Sequence, residues 1–477
     1  MTKKLNELSI TEAARGLRAG EFSVRELWDA CVSEAKERNA ELNAYLEIFD
    51  ADEAAIAAAQ ERIDTEKDAA PLLCGIPLAM KDNILIEGKI ASAASRMLEN
   101  HRALRDATVT KKLKEAGALF VGRTNMDEFA MGSSTEHSAY GVAKNPLDTE
   151  RTAGGSSGGS ASAVAAGMGL AGLGTDTGGS IRQPGAHTGL VGMKPTYGAV
   201  SRNGLIALGS SLDQAGPLTK TVADAKILFD TIEGHDSLDA TTLPDNMRDT
   251  REVPATFRIG VPKHLLAEGI DPDVLVHFNE TLARLESEGH TLVDVSLPTS
   301  EYALPVYYVI MPAEASANLA RFDGIRYGHA ARGETLLSDY VLSKTEGFGP
   351  ETVRRILLGT FVLSSGYIDA YYRKADAVRD VLRDEYNEAF KDVDVIAFPT
   401  TPSPAFKFGE KSDPVSMYLE DIFTVTANLT GMPAISVPMG LVERDGVSLP
   451  TGMHFTAPHG ADQLLFKIGA LVTKETL

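Results

Sequence analysis

Cysteine is nearly absent from this sequence of 477 residues, which contains only Cys31 and Cys74. Two cysteines are too few for a disulfide framework, and neither lies in the C-x-x-C or histidine-rich spacing of a structural metal site. The sequence therefore predicts no bound metal. It also predicts a reducing compartment, which we interpret as the cytoplasm.

Long apolar runs and a leader segment are also missing. No uninterrupted apolar run approaches the roughly 18 residues that a membrane-spanning helix needs. The N-terminal segment carries Lys3 and Lys4, but further charges recur every few positions, and the apolar core of a signal peptide is absent. We therefore expect no membrane association.

Positive charge is in deficit, because 46 lysine and arginine residues face 66 aspartate and glutamate residues, for a formal net charge of -20. A field of that sign repels phosphate backbones, so we do not expect the chain to hold nucleic acid by itself. With 43% hydrophobic and 23% charged residues, the composition is that of a globular protein with a large core.

The sequence does contain an alternation of helix-like and strand-like segments. Residues 9–66 show helical periodicity, residues 75–80 indicate a short buried strand before Lys81, and a helix over 108–116 precedes a strand over 118–122. Further helices are predicted over 222–232, 270–290 and 367–391, and further strands over 257–261, 393–398 and 434–437. No repeat or low-complexity linker divides the chain, so we predict one large α/β domain.

Glycine and serine dominate residues 154–180, in two clusters separated by a helix of small residues. Glycine permits positive φ and close approach of a ligand to the backbone, at a cost of about 0.5–1 kcal/mol each. The clusters lack the G-x-x-x-x-G-K-[ST] and G-x-G-x-x-G patterns of phosphate-binding loops. Nucleotide binding at this segment is therefore disfavoured.

Residues 154–158 match G-x-S-x-G, the nucleophile elbow of α/β-hydrolases. An elbow follows a buried strand, whereas residues 145–152 are polar and interrupted by proline. None of the ten histidines marks a catalytic triad, and His187, the nearest one downstream, is interpreted as a packed or surface residue. We therefore do not assign Ser156 as an elbow nucleophile.

The second cluster indicates a different chemistry. Gly178 and Gly179 precede Ser180, and their backbone N–H groups could converge on one oxygen, as an oxyanion hole requires. A serine nucleophile needs a base, and a lysine made neutral by burial could serve. Lys81 follows an apolar strand, and the hydroxyl of Ser156 could relay a proton between Lys81 and Ser180.

Two other interpretations of Lys81 stay open at this point. It could be a surface lysine, or a buried ion-pair partner of Asp82 or Asp127. Spacing along the chain does not show that the lysine and the two serines meet.

Four stretches together resemble the amidase signature family: residues 75–83, 122–129, 154–182 and 191–198, the third ending in Gly-Thr-Asp-Thr-Gly-Gly-Ser-Ile-Arg. The resemblance implies a mixed β-sheet covered by helices on both faces. It implies that Lys81 is the base, that Ser156 is a relay serine on a cis peptide and that Ser180 forms the acyl ester. The implied oxyanion hole consists of the backbone N–H groups of Thr177, Gly178, Gly179 and Ser180.

Within that family the chain is most similar to the A subunits of aspartyl/glutamyl-tRNA amidotransferases, on residues 307–328, 354–367 and 417–421. The resemblance implies that Arg355 binds the α-carboxylate of glutamine, that Asp421 binds its α-ammonium and that Tyr307 lines the pocket. A guanidinium suits a carboxylate, and a carboxylate suits an ammonium. Without the resemblance, these charges and that of Arg354 would be interpreted as ordinary helix-surface charges. The choice between Arg354 and Arg355 rests on one position of alignment.

The implied function is hydrolysis of glutamine, with the released ammonia used to convert Glu-tRNA(Gln) or Asp-tRNA(Asn) to Gln-tRNA(Gln) or Asn-tRNA(Asn). No cofactor is implied in this chain. ATP and Mg2+ would bind a large partner subunit, which would also hold most of the tRNA, and a small third subunit would clasp the pair. Two alternatives remain, a stand-alone amidase acting on another small carboxamide and a non-catalytic scaffold of the same fold.

The predicted amidase domain spans residues 1–477 and has three parts. These are an N-terminal helical wrap over 1–66, a catalytic core over 75–217 and a part that supplies the substrate pocket over 300–440. One stretch departs from the family pattern: the usual Thr-Thr-Cys-Ala-Ser-Lys-like run is replaced at residues 91–96 by Ala-Ser-Ala-Ala-Ser-Arg. We expect this change to alter a loop near the site.

Overall fold

A mixed sheet of eleven strands forms the centre of the fold. The computed structural model describes residues 3–244, 247, 251–266, 268–411 and 413–476. The strands within these residues are β1 (Tyr45–Ile48), β2 (Pro77–Lys81), β3 (Leu119–Thr124), β4 (Lys144–Asn145), β5 (Asp148–Thr152), β6 (Ala171–Asp176), β7 (Val191–Lys194), β8 (Gln214–Thr219), β9 (Arg258–Val261), β10 (Thr291–Asp294), β11 (Val395–Pro399), β12 (Ala434–Arg444) and β13 (Val447–Thr456).

The strands of the main sheet follow the order β1-β3-β2-β6-β8-β7-β12-β13-β11-β9-β10, and β4 and β5 pair separately as a hairpin. β2 is parallel to both β3 and β6, and β9 is parallel to both β10 and β11. The pairs between these two groups, from β6 to β11, are antiparallel. The sheet is therefore mixed, as predicted. It joins strands from both ends of the chain, which fits a single domain.

The helices of the described residues are α1 (Ile10–Ala19), α2 (Val24–Leu42), α3 (Glu53–Glu66), α4 (Thr108–Glu115), α5 (Gly158–Ala165), α6 (Arg182–Thr188), α7 (Val222–Ile232), α8 (Pro272–Ser287), α9 (Ala303–Leu319), α10 (Leu336–Gly347), α11 (Pro350–Leu363), α12 (Tyr372–Ala389), α13 (Pro414–Tyr418), α14 (Val425–Thr430) and α15 (Asp462–Thr473). Several begin at side-chain caps. Ser9 and Ser23 form capping boxes with Glu12 and Glu26, and Thr221 caps α7.

Side chains of β8 show that helices cover both faces of the sheet. Ala215 belongs to the largest apolar cluster, which includes residues of α7 and α15, whereas Leu218 packs with Ala161 and Val164 of α5. An odd number of positions separates Ala215 from Leu218, and successive residues of a strand point to opposite faces. The covered sheet that the resemblance implies is therefore confirmed.

The N-terminal segment differs from the expected run of helices, because β1 interrupts it between α2 and α3. Asn43 ends α2 in the left-handed region at φ 48°, and the chain then extends along the edge of the sheet. Tyr45 is buried there, and its hydroxyl donates to the Met168 carbonyl at 2.8 Å. Pairing with β3 therefore overrides the surrounding helical periodicity.

Among the described residues, no helix combines the length and the apolar character that a bilayer crossing requires. A further apolar cluster lies beneath α9, α12 and α14 and includes Tyr307 and Phe129. The packing of this cluster holds α9, which carries Tyr307, in place.

Candidate active site

Lys81 is the last residue of β2 and is completely buried. Its Nζ lies 2.8 Å from Ser156 Oγ, 2.8 Å from Ser157 Oγ and 3.2 Å from the Thr175 carbonyl oxygen. Burial disfavours the charged ammonium and lowers the pKa of Lys81 to about 7. A substantial fraction of this lysine is therefore a neutral base near pH 7.

The two other interpretations of Lys81 are wrong. The side chain is not on the surface, and no carboxylate of the described residues is within ion-pair distance of it. Asp82 instead pairs with Arg123 at 2.9 Å. Asp127 accepts a hydrogen bond from the Thr135 backbone N–H at 2.9 Å.

Ser157 is a partner of Lys81 that the sequence analysis did not identify. Its hydroxyl is also 3.2 Å from the Thr175 carbonyl, to which it can only donate, so it accepts from Lys81. When Lys81 is neutral, its two N–H groups can serve Ser157 and Thr175, and its lone pair then faces the Ser156 hydroxyl. The only sequence signal for this role is the position of Ser157 next to Ser156.

The backbone around Ser156 brings it close to Ser180. The peptide bond between Gly155 and Ser156 is cis. The Ser157 N–H donates to the Ser180 carbonyl at 3.2 Å, which joins the two glycine-rich clusters. Gly155 has no room for a side chain, because a Cβ there would lie 2.2 Å from Asp127 Oδ2. Ser180 is 8% exposed, whereas Ser156 is completely buried.

The predicted oxyanion hole is only partly free. The Gly179 N–H donates to Asp176 Oδ1 at 2.9 Å, so this amide is already engaged, contrary to its predicted role in the oxyanion hole. In the part of the chain that the structure describes, the N–H groups of Thr177, Gly178 and Ser180 form no hydrogen bond. These three remain as candidate donors to an oxyanion.

Asp176 and Arg182 hold the loop that carries these amides. Arg182 is fully buried and donates to both carboxylate oxygens of Asp176, at 2.9 and 3.1 Å. Burial by itself would raise the pKa of Asp176, but the Arg182 charge and hydrogen bonds outweigh it and keep the pKa well below its usual range. Arg182 also donates to Asn428 at 2.7 Å. The sequence analysis assigned no role to this arginine.

Tyr307 and Asp421 lie against the same loop. A Cβ at Gly178 would be 2.8 Å from the Tyr307 ring, so the ring covers this glycine directly. Asp421 is buried and accepts a hydrogen bond from the Ser133 hydroxyl at 2.6 Å. Burial raises the pKa of Asp421 to about 7, although the Ser133 hydrogen bond acts in the opposite direction. Both residues therefore lie beside the loop that leads to Ser180, and their binding of a substrate stays a prediction.

The two adjacent arginines of α11 differ in their exposure. The Arg355 side chain is 5% exposed and pairs with Glu351 at 2.7 Å, whereas that of Arg354 is 52% exposed. The Arg355 guanidinium lies 5.3 Å from the ring of Tyr308 and 5.4 Å from the ring of Tyr418. Arg355 and Asp421 are therefore not surface charges, whereas Arg354 is one.

The nucleophile elbow is not formed at Ser156. A short strand, β5, does precede it, contrary to the prediction, but β5 lies outside the main sheet, where it pairs with β4 and forms an isolated bridge to Lys407. His187 is buried edge-on to Phe406, and burial lowers its pKa to about 3. Of the two interpretations of His187, packed or surface, the structure supports the packed one. No group of three or more His, Cys, Asp or Glu side chains among the described residues is arranged to hold a metal ion.

The family model described as Amidase matches residues 26–466. The chain belongs to the amidase family. It is 47% identical over 469 residues to the A subunit of glutamyl-tRNA(Gln) amidotransferase from Chromohalobacter salexigens, an alignment that covers 97% of this chain and 96% of the relative.

Solved structures in the amidase family have the same fold. The A subunit of glutamyl-tRNA(Gln) amidotransferase from Thermotoga maritima matches with a TM-score of 0.81 and 40% identity, over 100% of this chain and 96% of that one. A structure described as an amidase matches with a TM-score of 0.80 and 30% identity, over 98% of this chain and 100% of that one. This chain is accordingly an enzyme of the amidase type. The alternating helices and strands predicted from its sequence are those of the amidase fold.

Proposed function

We propose that this chain is the glutamine-hydrolysing subunit of a tRNA-dependent amidotransferase. The observation that carries the proposal is a pair of opposite charges, Arg355 and Asp421, buried beside Tyr307 and the loop of Ser180. Glu351 already pairs with Arg355, and the Ser133 hydroxyl is the one hydrogen-bond donor to the Asp421 carboxylate among the described residues. A free amino acid offers a complementary group to each charge, because its α-carboxylate matches Arg355 and its α-ammonium matches Asp421. A simple alkyl or aryl amide supplies neither.

The reaction begins with proton transfer from Ser180 through Ser156 to neutral Lys81. Ser180 Oγ then attacks the side-chain amide carbon of glutamine, and the amides of Thr177, Gly178 and Ser180 stabilise the oxyanion. Lys81 returns the proton through Ser156 to the amide nitrogen, the carbon–nitrogen bond breaks and ammonia leaves. Water then attacks the ester, with Lys81 again as base, and glutamate is released.

The ammonia would be used by a partner. Relatives that are 47% and 48% identical are named as A subunits of glutamyl-tRNA(Gln) amidotransferase, which supports a larger assembly. We propose a large partner that uses ATP and Mg2+ and holds the tRNA, and a small third subunit that clasps the pair. The net charge of -20 supports this division of labour, because this chain is poorly suited to bind RNA. The cytoplasm, where aminoacyl-tRNA is used, is the proposed location.

A glutaminase assay tests the proposal. The chain is purified alone and with its two partner subunits, and release of ammonia and glutamate from L-glutamine is followed in both samples. We expect turnover that increases with the partners and the aminoacyl-tRNA present, and that Ser180→Ala abolishes. Trapping with hydroxylamine should yield the γ-hydroxamate of glutamate from the ester.

Two outcomes would contradict the proposal. Turnover of an aryl or alkyl amide by the isolated chain, with none of glutamine, would favour a stand-alone amidase. Unchanged glutamine hydrolysis in the Ser180→Ala complex would show that the ammonia comes from a different chain and that this one is a scaffold.

A further inference from the structure

Glu128 connects the catalytic layer to the helix that carries Arg355. This carboxylate is 2% exposed and accepts hydrogen bonds from residues far away in the sequence. The Gly349 N–H donates to its Oε2 at 2.8 Å, and the Thr352 hydroxyl donates to the same oxygen at 2.6 Å. The Ser95 hydroxyl donates to its Oε1. The steps described above for the reaction do not use Glu128.

On the catalytic side, the backbone at Glu128 is held next to Ser156. The N–H of the preceding residue, Asp127, donates to the Ser156 carbonyl at 3.2 Å. The following residue, Phe129, has a φ of 49° and packs edge-on against Phe348 at 5.7 Å between ring centroids. Glu128 therefore has little freedom to move relative to Ser156.

On the other side, Glu128 caps α11. Gly349 is the N-cap residue of this helix and has no side chain with which to satisfy the free N–H groups of the first turn. From outside the helix, the Glu128 carboxylate accepts a hydrogen bond from one of these groups, the Gly349 N–H, and another from the Thr352 hydroxyl. A negative charge at this end also interacts favourably with the helix dipole. A Cβ at Gly349 would lie 2.7 Å from Glu128 Oε2, so the glycine permits the close approach.

Arg355 follows Thr352 by one helical turn, and its partner Glu351 also lies in that first turn. The second fixed point of α11 is Gly359, whose Cα approaches α9 so closely that a Cβ would overlap the Pro312 carbonyl. The outward-facing residues Val353 and Leu357 are exposed, so packing on that side does not hold the helix in place. The N-terminal end of α11 is therefore held by the contacts with Glu128, together with the hydrogen bond from the Tyr418 hydroxyl to Glu351.

We propose that Glu128 is a positioning residue, which sets the distance between Arg355 and Ser180 and so tunes recognition of the substrate carboxylate. The inference rests on the proposed function, since it takes glutamine as the substrate. Ser95 belongs to the same network, and it is a position of the loop at residues 91–96 that matches the family pattern. This loop is thus linked through Glu128 to the helix that carries Arg355.

The test compares Glu128→Ala with Glu128→Gln in the assembled complex. Alanine removes every contact, and we expect KM for L-glutamine to rise about ten- to hundredfold while kcat changes little, because misplacement affects binding of the carboxylate first. In Glu128→Gln, the side-chain amide keeps one oxygen for Gly349 and Thr352 and offers its NH2 group to Ser95. This variant should therefore have a KM for the substrate within about threefold of wild type. A role in folding alone would lower the active fraction and would not raise KM.

Thr352→Val is the second variant, because it removes one of the two hydrogen bonds to Oε2 and leaves the carboxylate in place. We expect a smaller rise in KM. The stoichiometry of trapped Ser180 ester counts folded active sites in every sample. Unchanged KM in Glu128→Ala and Thr352→Val, or equal loss in Glu128→Ala and Glu128→Gln, would overturn the inference. Absence of glutamine hydrolysis in the wild-type complex would instead overturn the proposed function.

Discussion

The Nζ of Lys81 lies 2.8 Å from the Oγ of Ser156, and both residues are completely buried. A lysine in that environment does not behave as the ordinary cation of a protein surface. Its pKa is lowered to about 7, because burial disfavours the charged ammonium. This contact is the basis for the pH dependence of the reaction.

The pH profile of kcat should report Lys81. Only the neutral amine can accept the Ser156 proton, so kcat for glutamine should be half-maximal near pH 7 and fall about tenfold per pH unit below it. Lys81→Arg should be inactive at every pH, because a guanidinium stays charged. A kcat that is constant from pH 5 to 9 in the wild-type complex would contradict the assignment.

Ser157→Ala should shift the pH profile of kcat. The mutation removes an acceptor that stabilises the protonated lysine, so the pKa of Lys81 should fall and the acid limb of kcat should shift by about one pH unit to lower pH. The maximal kcat should also decrease, because the lone pair of Lys81 is no longer directed at Ser156. Ser160→Ala is the matched control, since this serine is also buried on α5 but bonds Thr124. An equal shift in both variants would exclude a specific role for Ser157.

The two adjacent arginines of α11 should respond differently to the same substitution. Arg355→Lys replaces a buried planar fork with a point charge, and we expect KM for L-glutamine to rise about tenfold or more, equivalent to a loss of about 1.4 kcal/mol or more. Arg354→Lys should leave KM unchanged, because that side chain is half-exposed and a lysine can keep its ion pair with Glu351. The measurement is the KM for L-glutamine, determined by steady-state kinetics on the complexes that contain each variant. A larger effect at Arg354 would show that the assignment is off by one residue.

Ser133→Ala should raise KM at neutral pH. The Ser133 hydroxyl donates to Asp421 and lowers its pKa, so without it the pKa rises above about 7 and more of the carboxyl is protonated at pH 7. A protonated Asp421 cannot pair with an ammonium. KM for glutamine should therefore rise several-fold at pH 7 and return towards the wild-type value by pH 9. Ser134→Ala is the control, because the hydroxyl of this buried neighbour bonds nothing among the described residues.

Much of the fold could be predicted where local signals agree with the final structure. The helix predicted over 222–232 forms with those bounds as α7, since Thr221 caps it and its apolar residues face the sheet. β1 could not be predicted in the same way. It has only four residues and lies between two helices, and its extended conformation depends on pairing with β3, far along the chain.

The site residues likewise fall into those that local sequence patterns predict and those that they do not. Lys81, Ser156 and Ser180 could be proposed from residue types and motifs, because a buried strand, glycine-rich loops and hydroxyls are local features. Ser157, Arg182 and Glu128 were missed. Their roles consist of contacts with distant residues, such as Asn428 for Arg182 and Thr352 for Glu128, and these contacts leave no pattern in a single sequence.

The sequence by itself therefore determined which chemical groups are available: a lysine after a buried strand, two serines in glycine-rich loops, and a pair of opposite charges. Only the tertiary structure decided their state. It buried Lys81 beneath hydroxyls 75 and 76 positions away, turned Arg355 inward and Arg354 outward, and engaged the Gly179 amide with Asp176. The reason is physical, because protonation, charge compensation and hydrogen-bond availability depend on what surrounds a group, and packing of distant segments supplies those surroundings.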